Sequence, residues 1–164
     1  MIEARPLYTP EERRRRDQTP WTTVQGILAP LQFLVFFIST ILVIRFLWTG
    51  QGEWAATVSI VFKTFLLYTI MVTGCIWEKV VFGVYLFAPA FYWEDVFSML
   101  VLALHTAYLA AAFNGWLGPE QLMGLALAAY AAYVINAGQF LWKLRAARLQ
   151  AEHEAAAQAG ELSA

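Results

Sequence analysis

Four long apolar runs divide the chain. Residues 27–44 carry no charge, and the run reaches Leu47. Residues 55–77 carry a single charge, Lys63, while 96–113 and 122–142 contain no Asp, Glu, Lys or Arg. A helix needs about 20 such residues to cross the hydrocarbon core of a bilayer. No alternating strand pattern competes with these runs. The pattern predicts an all-α integral membrane bundle of four transmembrane helices. A fifth apolar piece, 80–92, is too short to span and contains Gly83 and Pro89, which resist one continuous helix. Pieces of this length lie at the interface or re-enter the membrane, so such a segment is expected between helices 2 and 3. Glu78 and Lys79 precede it, and Glu94 and Asp95 follow. Trp77, Tyr85, Tyr92 and Trp93 suit the headgroup level. The expected organisation is a basic segment 1–26, a four-helix domain 27–144, and a tail 145–164 that extends the fourth helix and frays.

Composition agrees. The chain is 60% hydrophobic and 14% charged, against about 25% charged in a soluble domain. A net charge of −1 gives no pull toward nucleic acid. Cys75 is the one cysteine, so no internal disulfide forms, and no CxxC or His/Cys cluster offers a metal site. Residues 1–26 are Arg-rich without a short apolar core, unlike a cleavable signal peptide. Orientation follows from Lys and Arg. Arg5, Arg13, Arg14, Arg15 and Arg16 precede the first span, and Lys143, Arg145 and Arg148 follow the last. Both termini are therefore expected in the cytoplasm, together with the 78–95 connection. The 115–121 loop faces the far side. Arg45, at the outer end of the first span, can snorkel outward.

Ionisable residues inside a span are costly and mark candidate sites. Glu94, Ser98, Val101, His105 and Tyr108 are spaced four, three, four and three, which places them on one helical face. His105 lies about 15 Å along the helix from Asp95. Lys63 lies about 12 Å from the outer end of its helix, within reach of snorkelling. Gln25, Gln32 and Ser39 form a polar stripe on the first helix, and Asn136 and Gln139 share the inner half of the fourth. Such groups also glue membrane helices together. The residues alone therefore leave site and glue both open, and imply a polar interior in the cytoplasmic half. Gly124, Ala128 and Ala132 are spaced for close helix packing. With only His105 and His153, and the latter in the tail, a bundle binding two haems by paired histidines is excluded. No Gly-rich phosphate loop, Ser-His-Asp set or zinc motif occurs.

Several stretches resemble one family. Near the start these are Arg13-Arg14-Arg15-Arg16-Asp17, Pro20-Trp21-Thr22 and Val24-Gln25-Gly26-Ile27-Leu28-Ala29-Pro30. Lys63-Thr64 and Leu67-Tyr68-Thr69-Ile70-Met71 follow. The most specific is Ile76-Trp77-Glu78-Lys79-Val80-Val81-Phe82-Gly83, continuing through Tyr85-Leu86-Phe87-Ala88-Pro89-Ala90-Phe91 into Trp93-Glu94-Asp95-Val96, Ser98-Met99-Leu100-Val101 and Leu104-His105-Thr106. Ala128-Ala129-Tyr130-Ala131, Asn136-Ala137-Gly138-Gln139-Phe140 and Leu141-Trp142-Lys143-Leu144-Arg145 complete it. Over about residues 8–150 the chain resembles the 3-vinyl (formerly 2-vinyl) bacteriochlorophyllide hydratases.

That resemblance implies an enzyme of bacteriochlorophyll biosynthesis in the inner or intracytoplasmic membrane of a phototrophic bacterium. It would add water to the C3 vinyl group of a chlorophyllide or bacteriochlorophyllide. No redox cofactor is implied, the substrate bringing its own magnesium. Glu94 or Glu78 would be the acid. His105 would be the base for water or an axial ligand to the substrate magnesium. Asp95 would hold the histidine or stabilise a cation. Lys63 or Lys79 would meet the propionate, with Ser98, Tyr108, Asn136, Gln139 and Gln32 lining the substrate site. Expected partners are the pigment, the lipid bilayer and other pigment-synthesis enzymes, and a homo-oligomer is compatible. Two other readings fit the residues: a non-catalytic pigment-binding or assembly protein, and a dimeric proton-coupled transporter relaying through Lys63 and His105.

Overall fold

The computed structural model describes residues 6–162. It contains helices α1 (Pro10–Gln18), α2 (Pro20–Thr49), α3 (Glu53–Phe82), α4 (Tyr92–Asn114) and α5 (Pro119–Leu162), and no strand among the described residues. Helices α2 to α5 contain the four segments long and apolar enough to cross a membrane, the last being Pro119–His153. Each runs past the apolar stretch that predicts it, because polar and aromatic flanks continue the helix. Their ends are set locally. Gly50, Gly83 and Gly115 close α2, α3 and α4 in the left-handed conformation, with φ of 66°, 85° and 65°, where a Cβ is penalised. Pro20 and Pro119 open α2 and α5, where a missing N–H costs nothing. At 44 residues, α5 is about 66 Å long, well beyond the roughly 30 Å hydrocarbon core.

Helix α2 packs chiefly on α3, and α4 on α5, giving two hairpins that meet through smaller α2–α5 and α3–α4 contacts. Phe36, Val43, Ile60, Leu67, Val101 and Met123 belong to the shared core. The outside is equally apolar, with Leu34, Phe37, Ile41, Phe62, Phe65 and Val72 all exposed. So large an apolar surface is a liability in water and is what lipid requires. Exposed Trp48, Trp54 and Trp116 ring one end of the bundle, and Tyr85, Trp93 and Trp142 the other. Rings with a polar edge favour the two membrane–water interfaces.

Two local findings differ from the expectation. The 80–92 piece is not an element of its own: residues 80–82 finish α3, 83–91 form a short connection, and Tyr92 begins α4. The connection buries Ala88 and Phe91 against the bundle end. Gly124 and Ala128 face outward, and α5 packs through Met123, Ala126, Ala129, Tyr130 and Tyr133 instead. Helix α1 is an addition. Thr9 and Glu12 form a capping box over Pro10. Tyr8, just before it, is buried and stacks on Phe82 at 5.8 Å, with the Arg16 guanidinium 4.7 Å from its ring centre. Burial pushes the Tyr8 phenol above its ordinary pKa. These contacts place α1 at the same end as the 83–91 connection.

Candidate functional site: a polar seam in two clusters

The buried polar residues separate by depth. The first cluster sits where α3, α4 and α5 meet the 83–91 connection. Glu78, Glu94 and Asp95 are 7%, 6% and 5% exposed. Asp95 Oδ2 accepts from the Phe87 N–H at 2.8 Å, and Glu78 Oε2 accepts from the Ala88 N–H at 3.3 Å. The carboxyls of Glu78 and Asp95 thus converge on two consecutive N–H groups of the connection. Two carboxyls buried this close to each other repel when both are ionised, which favours a proton on one of the two. Phe87 is held at a φ of 59°, which costs a non-glycine residue about 1–2 kcal/mol. The two carboxyls on its flanks offset this by fixing consecutive N–H groups.

Glu94 differs in kind from Glu78. Its Oε2 lies 2.6 Å from Lys143 Nζ, and the same ammonium donates to the Ala90 carbonyl. Its backbone carbonyl accepts from Asn136 Nδ2 at 2.8 Å and Ser98 Oγ at 2.9 Å. Ser98 also reaches Asn136 Oδ1 at 3.2 Å. Placed in the first turn of α4, Glu94 and Asp95 also meet the positive end of the helix dipole. Aromatic rings wall this cluster: Phe91 stacks on Phe140 at 5.7 Å and meets Trp77 edge-on at 5.8 Å. Gln139 contributes a buried Oε1 with no hydrogen-bond partner.

The second cluster lies deeper. Lys63 is fully buried, and its Nζ sits 3.8 Å from the centre of the Tyr133 ring and 5.4 Å from that of Tyr130. Cation–π attraction of this sort is strongest when desolvated. The side chain therefore does not snorkel. His105 is 1% exposed, with Nδ1 2.8 Å from the Val101 carbonyl. A carbonyl only accepts, so Nδ1 carries a hydrogen. Its ring lies 5.9 Å from that of Tyr130, whose hydroxyl bonds Ser39 at 2.5 Å. Lys63 Nζ, His105 Nε2, Tyr108 OH and both amide atoms of Gln32 are buried without hydrogen-bond partners.

The structure thus gathers Glu78, Glu94, Asp95, Ser98 and Asn136 at one level, and Lys63, His105 and Tyr108 at another; Gln32 is buried on α2. Lys79 joins neither: it is exposed, donates to the Gly83 carbonyl at 2.7 Å, and lies over Tyr85. Asp95 does not hold His105. Ten residues separate them on α4, about 15 Å, and Asp95 is committed to the connection. Lys143, Tyr130 and Tyr133 also belong to these clusters, and sequence reasoning missed them. Lys143 is seven residues from Asn136, hence on the same face of α5, a signal that was available. Among the described residues no three His, Cys, Asp or Glu side chains converge as a metal site.

Fold and seam together define a membrane-spanning all-helical bundle that holds a pair of buried carboxyls and a buried lysine among aromatic rings. A family profile described as 2-vinyl bacteriochlorophyllide hydratase matches residues 8–146. The chain belongs to that family. It is 72% identical over 149 residues to the 2-vinyl bacteriochlorophyllide hydratase of Rhodobacter capsulatus, covering 90% of this chain and 86% of the relative. It is 73% identical over 149 residues to the protein of the same name from Cereibacter sphaeroides, covering 90% and 92%. No solved structure matches.

Proposed function

We propose that this protein adds water across the C3 vinyl group of a chlorophyllide or bacteriochlorophyllide, leaving a 1-hydroxyethyl group, with the Glu78–Asp95 pair as proton donor. The reaction needs a proton on the terminal vinyl carbon and water on the inner one. Protonation leaves a cation that the conjugated ring spreads. Water then adds, and its extra proton returns to a carboxylate. Nothing is oxidised or reduced, so the chemistry calls for no redox cofactor. The substrate's magnesium stays with the substrate.

The observation that carries the assignment of roles is the convergence of the buried Glu78 and Asp95 carboxyls on the consecutive N–H groups of Phe87 and Ala88. The pair holds a proton in a poorly hydrated, aromatic-walled site, the setting in which a carboxyl serves as general acid. Once it has donated, the pair is anionic and faces the developing cation. Glu94, by contrast, is ion-paired with Lys143; its role is to fix the end of α4 and the connection. His105 lies too deep to act on the same vinyl carbon. The Arg and Lys residues gathered at the α1 and connection end favour a cytoplasmic location for that end, hence for both termini, in the inner or intracytoplasmic membrane.

The test is direct. Detergent-solubilised protein is mixed with chlorophyllide a, without nucleotide or reductant, and the product mass is followed. Gain of one water by the wild type, with loss of about 100-fold or more in Glu78→Gln, is the expected result. Pigment that stays bound and unchanged in mass would instead fit a carrier.

A further inference from the structure

The deeper cluster holds a buried lysine with no counter-charge. Among the described side chains, Lys63 is separated from the nearest acid on its own helix, Glu53, by ten residues, about 15 Å. Glu78 lies farther still along α3. On α4, Glu94 and Asp95 are about 15 Å from His105, the residue whose charge environment includes Lys63. Lys143, the other buried-side lysine, already has Glu94, and Lys79 is exposed. An ammonium in this setting is costly unless compensated, and two tyrosine faces compensate only in part. Gln32, set about one helical turn from the Lys63 level by the Gln25–Thr73 and Ser39–Ser59 pairs, offers an unpaired amide N–H₂, a donor suited to an anion.

We infer that Lys63, with Gln32, forms the intramembrane site for the substrate's propionate carboxylate. The inference rests on the hydratase reading and deepens it by fixing which way the pigment lies. The C3 vinyl group and the propionate are carried on neighbouring pyrrole rings, about a third of the way round the macrocycle from each other. With the carboxylate at Lys63, the ring lies between α3 and α4, where it displaces packed core side chains such as Leu67 of α3 and Val101 of α4. Rotation about that anchor brings the vinyl group toward Glu78 and Asp95. Entry is from lipid through the α3–α4 face, the smaller of the contacts made by α4. There a hydrogen bond of 2.8 Å between Tyr68 and Thr106 bridges the two helices at the surface.

Equilibrium binding of the free-acid pigment and its methyl ester, read by pigment fluorescence, tests this without needing turnover. The wild type should bind the acid at least tenfold more tightly than the ester. Lys63→Met should bring the acid down to the ester's affinity and leave the ester unchanged. Lys79→Met should alter neither. Equal affinities in the wild type, which need no variant to fold, would overturn the proposal. So would an acid preference that survives Lys63→Met. Turnover measured in parallel separates the two claims: acid-selective binding that depends on Lys63, without hydration, would sink the hydratase reading and leave the carboxylate site standing.

Discussion

Replacing Lys143 with Met should loosen the bundle end by an amount its burial sets. The side chains of Lys143 and Glu94 are 28% and 8% exposed, with the charged atoms 2.6 Å apart. Removing one partner of a fully buried pair costs about 3–5 kcal/mol, and an exposed pair is worth about 0–1 kcal/mol. This pair lies between, nearer the buried limit on the Glu94 side. The Ala90 carbonyl loses its donor as well. A loss of about 2–3 kcal/mol follows, or roughly 4–12 °C in melting temperature for a chain of this size. Tryptophan fluorescence during heating in detergent reads it. Glu94→Gln should cost a similar amount, and the double variant clearly less than the sum, since the two share one interaction. Additivity within about 0.5 kcal/mol would mean the ion pair is absent and would remove the basis for separating Glu94 from Glu78.

Two further outcomes follow. Gly83→Ala should destabilise by about 1–2 kcal/mol although a Cβ there meets nothing within 4 Å, because the φ of +85° alone carries the cost; an unchanged melting temperature would contradict it. His105→Gln should keep kcat within about tenfold of wild type, since the imidazole is about 15 Å along α4 from the carboxyl pair. A loss of about 100-fold or more in kcat with unaltered pigment binding would return His105 to proton transfer.

Much of the fold is legible in the chain because lipid allows so few solutions: backbone groups must pair internally, so long apolar runs become helices. Lys63, Glu94, Ser98, His105 and Tyr108 are buried as their spacing along two spans indicates. The division of that stripe is partly legible too, since helical rise separates Asp95 from His105. What periodicity does not carry is the partner of each group. That Glu94 meets Lys143 rather than Glu78 depends on how α4 and α5 sit together. That Glu78 and Asp95 pin Phe87 and Ala88 depends on the path of an irregular connection. A short segment between the second and third spans is legible in the 80–92 piece, but its bounds are not: residues 80–82 finish α3, and the apolar content of the rest reflects burial of Ala88 and Phe91 at the bundle end. Helix α1 carries its own signal, Thr9-Pro10-Glu11-Glu12, easily overlooked beside the run of arginines.

The central claim, hydration with the Glu78–Asp95 pair as acid, is tested most directly in deuterated water. Wild-type protein and Glu78→Gln are incubated with chlorophyllide a in D₂O, and the product is examined by mass and NMR. The account predicts one deuteron on the methyl carbon of a new 1-hydroxyethyl group. It also predicts a rate at least about 100-fold lower in Glu78→Gln, with pigment binding unchanged. A full rate in Glu78→Gln, or pigment recovered unaltered from the folded wild type, would contradict it.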